Sequence, residues 1–115
     1  MSISGDRQAI ADALSTVDGV TGSRYRPTVI APGAAWPLLD SLAAADGVPA
    51  FEVTWRVLVA LPTGEQRASE WFDEHHEELA DALADFGYVE RIEPGRLDTE
   101  AGDIDIMIIT VRKEA

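Results

Sequence analysis

Residues 51–78, FEVTWRVLVALPTGEQRASEWFDEHHEE, carry the pattern that decides the fold of this chain. Apolar residues occupy every second position over residues 51–61, which is the period of a β-strand. Polar residues fill the other face of its first half, but Leu58 and Ala60 make that face apolar further on. We therefore expect the second half to be buried on both sides. Pro62 and Gly64 then break the strand.

An acidic amphipathic helix is predicted from residue 65 to about residue 86, with Gly87 ending it. Thr63 is expected to cap this helix, because Gln66 follows at the capping-box spacing. Its apolar stripe consists of Ala68, Trp71, Phe72, His75, Leu79, Ala82, Leu83 and Phe86. The carboxylates point elsewhere: Glu70, Asp73, Glu74, Glu77, Glu78, Asp81 and Asp85. We expect a solvated, negatively charged outer face.

A second helix is predicted over residues 3–17, where apolar residues recur at helical spacing, with Asp6 or Ser4 as its cap. Further strands are predicted over residues 20–30, 35–42, 88–92 and 104–111. Pro27 indicates an edge or a bulge in the first of these. Residues 35–42 also fit a short helix, but Pro37 favours a strand that pairs with residues 51–61.

Pro94 and Gly95 are predicted to form a turn, followed by an acidic loop over residues 98–103. The resulting order is α-β-β-β-α-β-β. It describes a single α+β domain over residues 1–115, with a mixed, mostly antiparallel β-sheet of about four to five strands and two α-helices packed on one face.

Composition excludes several classes of function. The net charge is −12, from 21 acidic and 9 basic residues, which argues against binding a phosphate backbone. The chain contains no cysteine, so thiolate catalysis and cysteine-ligated zinc are excluded. The first ten residues do not resemble a signal peptide, and no apolar stretch approaches the roughly 20 residues that span a bilayer. We expect synthesis in the cytoplasm and no membrane partner.

The adjacent His75 and His76 are the most plausible catalytic or metal-binding residues, but they lack the spacing of a metal site. Neither has a histidine partner four positions away, so we expect one half-buried and one exposed ring with a structural role. The carboxylates of the acidic helix favour a solvated face over an acid–base pair in a cleft. No nucleophile motif is present. The sequence therefore predicts no enzyme, no metal and no cofactor.

Aromatic and basic residues point instead to protein contacts. Trp55 and Trp71 fit a core position, whereas both the core and a partner-facing position are open for Trp36. Arginines on strands are expected to dock onto the acidic helix of a neighbouring copy. The candidate subunit or partner interface consists of Arg24, Arg26, Trp36, Leu38, Arg56 and Arg91.

Five segments carry a resemblance to a known family: DRQAIADALSTVDGV, RPTVIAPGAAWPLL, FEVTWRVLVALPTGEQRASEWFDEH, YVERIEP and DIDIMIITVR. In them the chain resembles the tail terminator proteins of long-tailed (siphovirus-type) bacteriophages and prophages, in the version found in phages of actinobacteria. The resemblance covers nearly the whole chain. It rests on element order, length and the pattern W-R-V-x-V-x-L-P before an acidic helix.

The resemblance implies a mixed sheet with two helices on one side and no catalysis or cofactor. It implies a virion protein at the head-proximal end of the tail, which forms a ring, usually a hexamer. The ring caps the tail tube, stops its polymerisation and joins the head–tail connector. DNA would pass through without specific binding, and the candidate acidic surface or bore consists of Glu74, Glu77, Glu78, Asp81, Glu100 and Asp103.

Three alternatives remain open at the level of sequence. One is another neck or tail-completion protein with the same small α+β plan. The second is an acidic adaptor or inhibitor that mimics nucleic acid and captures a basic partner, since the chain is strongly acidic. The third is a small enzyme that uses His75 or His76.

Overall fold

The computed structural model describes residues 2–44 and 51–114, and in them the chain forms two helices and five strands. The elements are α1 (Ile3–Leu14), β1 (Thr21–Gly22), β2 (Ala34–Ala44), β3 (Phe51–Ala60), α2 (Glu65–Ala84), β4 (Tyr88–Thr99) and β5 (Gly102–Glu114). The strands form one sheet in the order β1-β2-β3-β5-β4. Only the short β1–β2 pair is parallel. The predicted α+β class and element order are therefore confirmed.

The most apolar strands take the interior positions of the sheet. β3 pairs with β2 on one side and with β5 on the other, so that its main-chain polar groups are satisfied along its length. Val53, Trp55, Val57 and Val59 are buried on one face of β3, and Leu58 and Ala60 are buried on the other. The prediction from alternation is thus confirmed, including burial of the second half on both sides.

The two faces of the sheet differ in what covers them, and we call them the helix face and the open face. Both helices pack on the helix face, where Ile10 and Leu14 of α1 and Leu79 and Leu83 of α2 join the main core around Trp55. The open face carries a smaller core, formed by Trp36, Leu58, Ile106 and Ile108, with Ile30 packed against it. The rest of the open face has no helix over it in the described chain.

The N-terminal elements are shorter than predicted. Helix α1 ends at Leu14 instead of residue 17, and its cap is Ser2, whose Oγ accepts a hydrogen bond from the amide of Gly5 at 3.0 Å. Asp6 and Ser4 are therefore not the cap. The strand predicted over residues 20–30 is reduced to β1. Gly22 lies so close to the main-chain oxygen of Ala11 that a Cβ there would clash.

The start of α2 and the path of β4 also correct the sequence prediction. Gly64, with φ of 102°, is the N-cap of α2 and makes no side-chain capping bond, so Thr63 is not the cap. The predicted turn at Pro94 and Gly95 is wrong, because β4 runs straight through both residues. Proline is tolerated there because β4 is an edge strand with one free side. Gly95 makes room for the side chain of Ile108.

Two long-range side-chain contacts fasten α1 to the sheet. Nη1 of Arg7 donates to the carbonyl oxygen of Pro37 at 3.1 Å and to that of Arg24 at 3.3 Å. Nζ of Lys113, the only lysine in the chain, lies 3.1 Å from Oδ1 of Asp6 and donates to it. The ion pair joins the first turn of α1 to the end of β5.

We predict that Lys113→Met lowers the free energy of unfolding by about 1–3 kcal/mol, because it leaves a buried carboxylate without its cation. The Asp6 side chain is 8% exposed and that of Lys113 is 35% exposed, so the cost falls below that of a fully buried pair. Methionine has a similar length, but it also removes the contact of the ammonium group with the Phe86 ring, 4.6 Å from its centroid. Urea denaturation of the two single variants, Lys113→Met and Asp6→Asn, and of the double variant provides the measurement. Strict additivity of the two single losses would contradict the coupling.

Candidate interaction surfaces

The exposed side of α2 is a continuous negative surface, which we call the acidic face. It consists of Glu70, Asp73, Glu74, Glu77, Glu78 and Asp81, all exposed. The ion pairs of the described residues join Arg91 to Glu93, Arg96 to Asp105, Arg112 to Glu52 and Lys113 to Asp6. None of them includes a carboxylate of α2. Within the described chain, the acidic face therefore has no cation at ion-pair distance, although Arg67 lies on the same helix three residues before Glu70.

This arrangement is unfavourable for the helix taken alone. Glu70, Glu74 and Glu78 follow one another at intervals of four residues, and such like-charged neighbours each destabilise a helix by about 0.2–0.5 kcal/mol. Asp81 also lies near the negative end of the helix dipole, and the last turn contains no basic residue. Burial of Leu79 and Leu83 against the sheet holds the helix instead. A local conflict of this kind is expected where a surface serves a partner.

The two histidines lie on the same helix and bond to its main chain. The Nδ1–H of His75 donates to the carbonyl oxygen of Trp71 at 2.8 Å, and that of His76 to the carbonyl oxygen of Phe72 at 3.0 Å. The His75 ring stacks on Trp71 at 3.8 Å between centroids. Both rings are half-buried, so the expectation of one exposed ring is wrong. No group of three or more metal-binding side chains occurs among the described residues.

A cluster of arginines lies on the open face, beyond the smaller core. Arg56 and Arg91 are both cross-strand partners of Thr110, so they flank it from either side. Arg112 lies two residues further along β5 and partners Thr54 and Tyr88. We call Arg56, Arg91 and Arg112 the arginine cluster. With neighbouring strands about 4.8 Å apart, Arg56 and Arg91 stand about 10 Å from each other.

Local carboxylates neutralise this cluster only weakly. Nε of Arg91 lies 3.7 Å from Glu93, and Nε of Arg112 lies 3.8 Å from Glu52. Both pairs are solvent-exposed, and exposed ion pairs contribute about 0–1 kcal/mol. The guanidinium of Arg112 also lies over the Tyr88 ring, 5.3 Å from its centroid. The cluster therefore has donors available for further carboxylates.

The structure brings some of the predicted interface residues together and separates others. Arg56 and Arg91 belong to the arginine cluster. Leu38 is the cross-strand partner of Arg56 and is 41% exposed, so it borders the cluster. Arg24 and Arg26 lie outside any strand, in the segment after β1. Trp36 is 0% exposed and belongs to the smaller core, which rules out a partner-facing position in this fold. It shares a face with Leu58 because the two residues pair directly.

The predicted acidic bore residues fall on two elements. Glu74, Glu77, Glu78 and Asp81 belong to the acidic face, whereas Glu100 and Asp103 lie at the tip of the β4–β5 hairpin. The middle of this hairpin, at Pro94–Arg96, lines a groove of about 720 Å³ with the part of α2 from Glu65 to Asp73. The hairpin tip lies elsewhere, because Glu100 lines a second groove with Arg26 and Ile30. The hairpin carboxylates are therefore not part of the acidic face.

The groove between α2 and the hairpin is partly apolar. Leu61, Phe72 and Ile106 contribute apolar walls, and the pair of Arg96 and Asp105, 3.4 Å apart, lies at its margin. Neither histidine lines it. The charged surfaces on the two sides of the sheet are more distinctive than this groove.

Models of known protein families and the sequences of curated proteins give no match to this chain. Within the described residues, neither helix is long and apolar enough to cross a membrane.

We predict that Glu78→Lys raises the free energy of unfolding by about 0.5–1 kcal/mol at low salt, because it removes repulsion and places a cation four residues after Glu74. Glu78→Gln is the matched control and should give a smaller gain. The gain from Glu78→Lys should shrink near 1 M salt, where the screening length is about 3 Å. Urea denaturation at both salt concentrations measures this. A lysine variant less stable than the glutamine variant would contradict the repulsion argument.

Proposed function

We propose that this chain is a non-enzymatic structural protein of a bacteriophage virion, a tail terminator that forms a ring on the tail tube. The acidic face and the arginine cluster carry the proposal. They lie on opposite sides of the same sheet, one with carboxylates that have no cation at ion-pair distance in the described chain and the other with guanidinium groups held only by exposed pairs. A surface of each sign on opposite sides suits head-to-tail contact between identical copies.

Head-to-tail contacts use a different surface on each partner, and they generate a ring when the rotation between copies closes. In such a ring the acidic face of one copy would meet the arginine cluster of the next. The carboxylates would then lose their mutual repulsion, and the weakly paired arginines would gain bidentate partners. Assembly would relieve the repulsion between the carboxylates of α2, which remains in a single folded copy.

The assembled ring would cap the tail tube, stop its polymerisation and offer a joining surface to the head–tail connector. These partners, the hexameric state and the place in the virion follow from the family resemblance. The hairpin carboxylates Glu100 and Asp103 are the candidates for a negative bore, because they remain outside the acidic face. A negative bore would allow DNA to pass without adhesion, which needs basic contacts. Another neck or tail-completion protein would use the same ring geometry.

A charge-exchange experiment tests head-to-tail assembly. Arg56→Glu/Arg91→Glu gives a copy with two acidic surfaces. Glu70→Arg/Glu74→Arg/Glu77→Arg/Glu78→Arg gives a copy with two basic ones, because only Asp73 and Asp81 of the acidic face remain. Each variant alone should fail to form rings or to limit the length of tubes grown from tail-tube protein, because like charges meet at every contact. Mixed in equal amounts, they should restore an even-numbered ring with alternating copies. Electron microscopy of tube length and light scattering of the mixture measure both effects.

Arg24→Glu/Arg26→Glu is the matched control, because it makes the same change in net charge at exposed residues outside both proposed contact surfaces. It should retain ring formation and tube capping. Two results would overturn the proposal: a variant with two acidic surfaces that caps tubes as well as the wild type, or a wild-type chain that never binds tail-tube protein.

The acidic face also supports a second candidate function, capture of a basic protein by imitation of nucleic acid. Several carboxylates lie along one side of α2 without a cation at ion-pair distance in the described chain. Binding to a basic nucleic-acid enzyme should then weaken steeply with salt and fall by about tenfold or more in Glu74→Arg/Glu78→Arg. Calorimetric titration of such an enzyme measures it, with Glu100→Arg/Asp103→Arg on the β4–β5 hairpin as the control of equal charge change. An affinity that changes neither with salt nor with substitutions in the acidic face would exclude this function.

A further inference from the structure

The second part of β2 is an open sheet edge. β1 pairs with β2 only through Thr21–Ala34 and Gly22–Ala35, and the carbonyl oxygen of Pro37 accepts a hydrogen bond from Arg7. From Leu38 to Ala44, β2 pairs with β3 on one side, and no described strand pairs with its other side. We call residues 38–44 the free edge. Its outward N–H and C=O groups form a template for another extended strand.

The opposite edge of the sheet has the features that prevent such pairing. β4 contains Pro94, which offers no N–H, and a register shift between Val89 and Arg91. Charged residues also recur along it: Glu90, Arg91, Glu93, Arg96 and Asp98. Proline, bulges and charges are the usual protection of an edge strand. The free edge carries a bulge near Asp40 but no proline and no other charge.

The side chains beside the free edge are unusually apolar for an exposed strand. Leu38, Leu39 and Leu42 are 41%, 38% and 47% exposed, and Phe51 on the neighbouring strand is 53% exposed. Leu39 partners Trp55 and Leu42 partners Val53, so both leucines lie on the helix face, next to the main core. Main-chain groups and apolar side chains are thus available at one place.

The alignment that residues 38–44 allow with themselves favours a second copy of this chain as the occupant. A chain of net charge −12 repels its own copies over most of its surface. The free edge adds little to that repulsion, because Asp40 is its only ionisable residue. Two copies of residues 38–44 in antiparallel alignment about Ser41 would place each Asp40 opposite a leucine instead of opposite its own copy. A basic partner would find no comparable set of carboxylates here.

We propose that two copies of this chain pair edge to edge through residues 38–44, in antiparallel orientation about a two-fold axis. The contact is isologous, and it closes because the β4 edge does not accept a further strand. Main-chain hydrogen bonds across the axis join the two sheets, while Leu39 and Leu42 of each copy pack beside Phe51. This pairing does not rest on the proposed ring, which uses two different surfaces for each copy.

Disulfide cross-linking tests the alignment, because the natural chain has no cysteine. Ser41→Cys lies near the axis and should form a covalent dimer on mild oxidation of the purified chain. Glu90→Cys, on the opposite edge, is the matched control and should remain largely uncross-linked. Equal cross-linking of both variants, or none at Ser41, would overturn the two-fold alignment.

Sedimentation equilibrium of the full chain tests the interaction without a cross-link. Leu42→Glu places a carboxylate opposite Asp40 of the other copy and should raise the dimer dissociation constant about tenfold or more. Val29→Glu makes the same change in charge at an exposed apolar residue after β1 and should leave that constant nearly unchanged. Higher salt should tighten the wild-type dimer, because it screens repulsion between acidic copies. A chain that is monomeric up to millimolar concentration, or a dimer unaffected by Leu42→Glu, would overturn the proposal; circular dichroism verifies that the variant folds.

Discussion

The pairing of β3 with β5 is the constraint on which the other features of the structure depend. The strands pair from Glu52–Glu114 to Ala60–Ile106. Each strand buries side chains on both faces of the sheet, with Leu58 and Ile108 buried on the open face. A strand covered on two sides needs a core on each. The helices therefore take one face, and the loop after β1 covers part of the other through Ile30. The edges of the sheet are left to β2 and β4.

The same two-residue period that builds the core also separates the charges. Residues that alternate with the main-core positions of β3 and β5 must point to the open face, which places Arg56 and Arg112 there. Helix α2 covers the opposite face and turns its carboxylates outward. No single charge pair is strong, but the separation gives the molecule two sides of different sign. Such a distribution favours defined orientations between copies more than it contributes to the stability of one copy.

Sequence reasoning succeeded where a pattern had one physical solution. The alternation over residues 51–61 and the apolar stripe of α2 predicted β3 and its helix to within two residues, and Pro37 correctly favoured a strand. It failed where tertiary context chose between local alternatives. Proline and glycine usually mark a turn. At Pro94 and Gly95, however, the position of β4 at the edge of the sheet and the bulk of Ile108 made them compatible with a strand. The fate of Trp36 depended on Leu58, its cross-strand partner, which no local pattern identifies.

The arginine cluster was only partly predictable for the same reason. Arg56 and Arg91 were expected to lie on strands, but Arg112 joins them only through the register of β5 between β3 and β4. The acidic face and the free edge are distinct surfaces, because one lies on α2 and the other on β2. One depends on unlike charges and weakens with salt, whereas the other depends on main-chain and apolar contacts and strengthens with salt. Salt dependence therefore separates the two modes of self-association, even though both join copies of the same chain.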